Sequence, residues 1–123
     1  MSKIERFASP LPLPFSRAVK AGGFLFLSGQ VPVDAQGNVV KGSIQQQTEA
    51  VMQRIQETLA LHGASLADVV KATVWLSDMK HFAGFNEVYA GYVEGNLPVR
   101  STVANSTLAY DVDVEVEVQA YLG

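Results

Sequence analysis

The chain contains no cysteine among its 123 residues. Disulfide bonds, thiolate catalysis and cysteine-ligated zinc sites are therefore excluded. Basic side chains are also scarce, since nine lysine and arginine residues stand against twelve aspartate and glutamate residues, for a net charge of −3. The basic residues are scattered, whereas a nucleic-acid-binding surface needs clustered positive charge to contact phosphates. We therefore expect no nucleic-acid partner.

Long hydrophobic runs are missing as well, and the longest apolar stretch is far too short to span a membrane. The first ten residues, MSKIERFASP, lack the apolar core of a signal peptide. We therefore expect a cytoplasmic protein with no membrane partner. A length of 123 residues and a hydrophobic fraction of 48% are typical of one folded domain, which we place over residues 1–123.

Strand patterns recur along the chain and bracket two helical segments. They cover residues 4–9, 16–21, 24–30, 69–76, 99–105 and 112–122. The Gly22-Gly23 pair predicts a hairpin between the second and third strands. Residues 24–27 are continuously apolar, which predicts a strand covered on both faces.

Helical spacing begins after Ser43, which forms a predicted capping box with Gln46, and it stops at Gly63. A second helix is predicted between a cap at Asp78 and Gly95. Two helices on one face of a mixed, mostly antiparallel sheet make an α+β sandwich.

The last strand alternates strictly between apolar and polar residues. One face carries Val112, Val114, Val116, Val118 and Ala120, and the other carries Asp113, Glu115, Glu117, Gln119 and Tyr121. The valine face should meet the helices, and the acidic face should meet water or another subunit. A hairpin turning within residues 105–110 would place Arg100 near Glu115, with Thr102 on the face of Arg100.

Several of these residues also have simpler interpretations. Arg100 could form a surface or interface salt bridge, and Glu115 could lie on a solvated strand face. An aromatic stripe in the second helix is typical of a core: Phe82, Phe85, Tyr89 and Tyr92. His62 and His81 show no metal-binding spacing, so we expect no metal site. The residues alone indicate an α+β domain with an arginine and a glutamate placed together.

Five sequence blocks, taken in their order along the chain, resemble those of a known family. They are PFSRAVKAGGFLFLSGQVPVD, QQQTEAVMQRIQETLALHGASLADVVKATVWLSDM, FAGFNEVYAGY, PVRSTV and VEVEVQAYL. Over residues 14–122 they resemble the reactive-intermediate deaminase family, also called Rid or YjgF-type. The resemblance implies a chorismate-mutase-like fold. It also implies homotrimers in which the sheets form an inner barrel, the helices lie outside, and clefts open between subunits.

The resemblance further implies hydrolysis of 2-imino acids to 2-oxo acids and ammonia, with no metal or organic cofactor. Such imines are tautomers of enamines that pyridoxal-phosphate enzymes release. The resemblance therefore implies an indirect functional link between this protein and those enzymes. Arg100 in PVRSTV would bind the substrate carboxylate, and Glu115 in VEVEV would orient water. The other cleft residues implied are Phe15, Ser28, Gly29, Asn86 and Thr102.

Three features depart from the family pattern. Many members have tyrosine at the position of Phe15 and cysteine at that of Thr102, and the loop at residues 93–97 is shorter here. These changes affect the expected range of substrate side chains more than the reaction. Three alternatives stay open: a non-catalytic module that binds 2-oxo acids, an aminomuconate-type deaminase, and a ribonuclease, which the acidic charge disfavours.

Overall fold

The predicted strands and helices form in the predicted order. The computed structural model describes residues 3–123. The strands are β1 (Glu5–Ala8), β2 (Ser16–Ala21), β3 (Phe24–Leu27), β4 (Val69–Leu76), β5 (Val99–Ala104) and β6 (Val114–Tyr121). The helices are α1 (Ile44–Leu61) and α2 (Phe82–Val93), with 3-10 turns at Leu66–Asp68, Met79–His81 and Ala109–Asp111.

One mixed sheet contains all six strands in the order β1-β2-β3-β6-β4-β5. The predicted hairpin between β2 and β3 is confirmed, with Ala21 opposite Phe24. Gly22 and Gly23 both have positive φ angles, 58° and 85°. Two consecutive left-handed residues are what a two-residue hairpin of the mirror-image type requires, and glycine adopts them without steric cost.

The predicted hairpin between the last two strands is wrong. β5 pairs in parallel with β4, and β6 lies on the other side of β4, antiparallel to it and to β3. β4, α2 and β5 form a βαβ unit, and a helical crossover is the connection that parallel neighbours need. Residues 105–113 are not a tight turn. They cross the end of β4, where the Asn105 N–H donates to the Leu76 carbonyl and the Ser77 N–H donates to the Asp113 carbonyl.

The capping predictions hold for α1. The Ser43 hydroxyl accepts from the Gln46 N–H at 3.1 Å, and the Gln46 side chain accepts from the Ser43 N–H at 2.8 Å. Gly63 follows the helix with φ of 75°. At the second helix, Asp78 accepts from the Lys80 N–H and caps the 3-10 turn, whereas α2 begins four residues later, at Phe82.

The core lies between the helices and one face of the sheet. It contains the predicted valine face of the last strand, which is buried throughout and comprises Val112, just before β6, and Val114, Val116, Val118 and Ala120 within it. Leu25, Ile55 and Phe85 are fully buried against it. Burial of each of the three large side chains Leu25, Ile55 and Phe85 contributes roughly 1.5–3 kcal/mol to stability. Neither helix within residues 3–123 has the length and apolar character needed to cross a bilayer.

Within residues 3–123, no helix covers the opposite face of the sheet, and two predictions about the faces of the sheet are wrong. Leu25 and Leu27 are buried, but Phe24 and Phe26 remain 38% and 37% exposed, so residues 3–123 cover β3 on one face only. Asp113 does not belong to the polar face. It precedes β6 and turns toward α1, where it accepts from the buried Gln47 amide at 3.0 Å and from the Ser77 hydroxyl at 2.6 Å.

Candidate active site

Arg100 and Glu115 lie on opposite faces of the sheet in one chain. Arg100 is registered against Ala72, which is registered against Val118, and both of these neighbours are buried under the helices. Glu115 is paired with Trp75, which lies three positions after Ala72 along β4. An odd number of positions places Trp75 and Glu115 on the opposite face from Ala72 and Arg100. Because directly paired residues project to the same side of a sheet, Arg100 takes the helix-covered face and Glu115 the open face. The predicted shared face is therefore wrong.

Arg100 is held against aromatic rings of α2. Its guanidinium carbon lies 5.6 Å from the Phe82 ring centroid, 5.4 Å from that of Phe85 and 5.1 Å from that of Tyr89. These distances are typical of cation–π contacts. Among the ion pairs of residues 3–123, none involves Arg100. The guanidinium is half-buried, yet its charge is not neutralised by an acid of its own chain.

Asn86 and Thr102 belong to the same side as Arg100. Thr102 is registered against the buried Val74, and Asn86 follows Phe85 in α2. The Asn86 Oδ1 and Thr102 Oγ1 atoms are buried and have no hydrogen-bond partner among residues 3–123, and the same holds for the Tyr89 hydroxyl. Because buried polar atoms usually have partners, these atoms are available to a ligand or ordered water. Arg100, Asn86 and Thr102 are called the arginine group below.

Glu115 packs against a glycine on the open face. A Cβ atom at Gly29 would collide with the Glu115 Oε2 atom, so any larger residue here would displace the carboxylate from its present position. Burial raises the pKa of Glu115 above its usual value, and the charge of Glu117 raises it further. A carboxylate with a raised pKa is a better proton acceptor at neutral pH than an exposed one.

Ser28 precedes Gly29 in the sequence, and Phe15 precedes Ser16, the residue to which Ser28 is hydrogen-bonded. A bridge between Gln30 and Val116 brings the segment after β3 alongside β6. The Ser28 hydroxyl donates to the Ser16 carbonyl at 2.6 Å, which fixes its rotamer. Phe15 is 47% exposed and borders an open cavity of about 600 Å³, which is also lined by Arg6. Phe15, Ser28, Gly29 and Glu115 are called the glutamate group below.

The sequence alone did not predict the contacts around Arg100. The aromatic stripe of α2 was expected to be core, and Phe85 and Tyr89 are buried, but the rings at 82, 85 and 89 also lie near the guanidinium. The available signal was an arginine on the strand that follows an aromatic-striped helix in a βαβ unit. Within residues 3–123, no cluster of three or more histidine or acidic side chains could hold a metal ion.

These features define a small α+β domain that presents an unneutralised arginine on one side of its sheet and a carboxylate on the other. The sequence model of the family described as Endoribonuclease L-PSP matches residues 8–122. The chain is 48% identical over 115 residues to a RutC family protein of Pyrococcus horikoshii. The aligned region covers 92% of this chain and 91% of that protein. The chain therefore belongs to this family.

Solved structures agree with this assignment. The structure of yeast Mmf1 matches 98% of this chain and 100% of its own chain, with 37% identity and a TM-score of 0.92. The structure of RidA from the Antarctic bacterium Psychrobacter sp. matches 90% of this chain and 90% of its own chain, with 33% identity and a TM-score of 0.84. The resemblance to Rid proteins is thus confirmed, and membership supports a deaminase-type role, small-molecule binding and oligomer formation in general.

Proposed function

We propose that this protein hydrolyses 2-imino acids to 2-oxo acids and ammonia. The observation that carries the proposal is the state of Arg100, a half-buried guanidinium over aromatic rings that no acid of residues 3–123 neutralises. Burying a charge without a partner is costly, so an anionic ligand is the natural occupant. A planar guanidinium binds a carboxylate through two parallel hydrogen bonds, which fixes the orientation of the ligand as well as its charge.

In the proposed reaction, Glu115 orients a water molecule and accepts its proton as the oxygen attacks the carbon of the C=N bond. The electron pair of the C=N double bond moves to nitrogen, which is protonated to give a carbinolamine. Collapse of this intermediate forms the C=O bond and releases ammonia, with the proton of the hydroxyl returned to nitrogen. The raised pKa of Glu115 suits a group that takes and returns protons near neutral pH.

The proposed active site requires a second copy of the chain. Arg100 and Glu115 project from opposite faces of one sheet, so the arginine group of one subunit would face the glutamate group of its neighbour. The helix-free face, with half-exposed Phe24 and Phe26, is the surface that the neighbours would cover. We propose a homotrimer, which forms a closed ring with three equivalent clefts.

The test is ammonia release from freshly generated 2-iminopropanoate, with and without protein. Wild type should accelerate the release, and Arg100→Ala and Glu115→Gln should each lose most of the acceleration. Refolding the two variants together at equal concentration should restore activity in up to about a quarter of the sites. Restoration occurs because a Glu115→Gln chain supplies Arg100 to a cleft whose Glu115 comes from an Arg100→Ala chain.

Other outcomes identify other functions. If mixing never restores activity while each variant still assembles, the two residues do not act from different chains. If wild type binds 2-oxo acids but leaves the rate of imine decay unchanged, the protein is a non-catalytic carboxylate-binding module. Because the family description names an endoribonuclease, RNA cleavage is measured in parallel. The net charge of −3 predicts no cleavage.

A further inference from the structure

The Arg100 guanidinium lies against aromatic rings and not against an acid. A neighbouring carboxylate would neutralise the charge and occupy the N–H donors. Here Phe82, Phe85 and Tyr89 surround the guanidinium at 5.1–5.6 Å, and no acid of residues 3–123 pairs with it. Aromatic faces attract a cation while leaving its five N–H groups free.

We infer that Phe82 and Tyr89 are positioning residues that hold the Arg100 guanidinium ready for a ligand carboxylate without competing for its hydrogen bonds. The inference rests on the proposed role of Arg100 as the carboxylate-binding group. It adds that the affinity of the site depends on two side chains of α2 that need not touch the ligand carboxylate.

The two rings differ in burial, which helps to separate positioning from folding. Tyr89 is 6% exposed and stacks on the fully buried Phe85, with ring centroids 5.1 Å apart. Phe82 is 38% exposed at the first turn of α2. Replacing Phe82 therefore removes a ring from Arg100 while leaving little cavity in the core, whereas a change at Phe85 would mix both effects.

The first measurement is pyruvate binding by titration calorimetry on the intact protein, with the thermal midpoint and subunit mass recorded for each variant. Phe82→Leu and Tyr89→Leu should each weaken pyruvate binding by about 3- to 30-fold, the range expected for loss of a partly desolvated cation–π contact. Tyr89→Phe should recover most of the affinity that Tyr89→Leu loses, because it restores the ring face.

Tyr92→Leu is the matched control on the same helix. Tyr92 lies on the stripe one turn further along, but its hydroxyl donates to Glu49 of α1 and its ring is not among those that contact Arg100. This variant should retain the wild-type affinity for pyruvate.

The second measurement introduces a carboxylate that competes with the ligand for the N–H donors of Arg100. Phe82→Glu places a carboxylate beside Arg100, whereas Phe82→Gln has nearly the same shape and no charge. If free N–H donors matter, Phe82→Glu should bind pyruvate at least tenfold more weakly than Phe82→Gln, and the gap should narrow as the pH falls and the new carboxyl group is protonated.

Binding at equilibrium keeps this test separate from that of the reaction. A wild type that binds pyruvate but does not accelerate ammonia release refutes the proposed hydrolysis and leaves the positioning test intact. The inference is overturned if wild type does not bind pyruvate, if Phe82→Leu and Tyr89→Leu bind it as tightly as wild type, or if Tyr92→Leu weakens binding equally.

Discussion

The two faces of the sheet carry functional groups of opposite charge in different surroundings. On the helix-covered face, the charge of Arg100 lies over aromatic rings, and its backbone is paired with the buried Ala72. On the open face, Glu115 and Glu117 project from one strand, and the pKa of Glu115 is raised first by burial and then by the charge of Glu117. The sheet separates the positive from the negative group, so neither neutralises the other within a chain. Both charges stay available for the ligand that the proposed site between two chains would bind.

The strongest test of this comparison replaces the open-face carboxylate. Glu115→Gln should fold and still bind 2-oxo acids, because the amide keeps the shape and one acceptor. Turnover of 2-iminopropanoate should fall by roughly 10²- to 10⁴-fold, the usual range for a positioned acid–base group. The rate must be corrected for unaided hydrolysis. Unchanged turnover would make Glu115 a structural residue.

A pair of neighbouring residues on β3 compares the two faces directly. Leu25→Ala removes a fully buried side chain and should lower the free energy of unfolding by about 2–5 kcal/mol. Phe26→Ala changes the open face and should leave the circular dichroism spectrum intact while weakening subunit assembly. Sedimentation at micromolar concentration measures the second effect. A wild-type mass of 13.2 kDa, that of one chain, would contradict the proposed trimer.

Arg100→Lys tests carboxylate binding on the helix-covered face, because it keeps the positive charge and removes the planar guanidinium group. Both binding and turnover of the imino acid should weaken, and Arg100→Ala should lose more, roughly 2–5 kcal/mol. An imine that lacks a carboxylate should react equally with wild type and both variants. Wild-type rates for Arg100→Lys would exclude two-point recognition, and dissociation of the variant into monomers would favour an interface salt bridge.

The smallest expected effect is a pH dependence of stability. Because the pKa of Glu115 is raised in the folded state, the folded protein holds its proton more tightly than the unfolded chain. Stability should therefore decline as the pH rises from the ordinary glutamate pKa through the folded value. Glu115→Gln should lack this decline and melt slightly higher than wild type at pH 8. An unchanged melting profile would show that the carboxylate is not desolvated.

Local sequence signals predicted the elements of the fold well. The capping box of Ser43 and Gln46, the glycine pair of the hairpin and the alternation of β6 each depend on interactions within a few residues. The pairing of β5 was mispredicted because two strands close in sequence were treated as a hairpin. The crossover through α2 makes β5 the parallel neighbour of β4 instead.

The sequence by itself therefore determined the order of the elements, the buried face of β6, the family, and the identities of Arg100 and Glu115 as candidate residues. Only the tertiary structure decided that these two residues lie on opposite faces and that aromatic rings of α2 hold the arginine. The face that a strand residue takes depends on the partner strand and its register. A shift of one residue exchanges the faces, and both partner and register are fixed by contacts between distant parts of the chain.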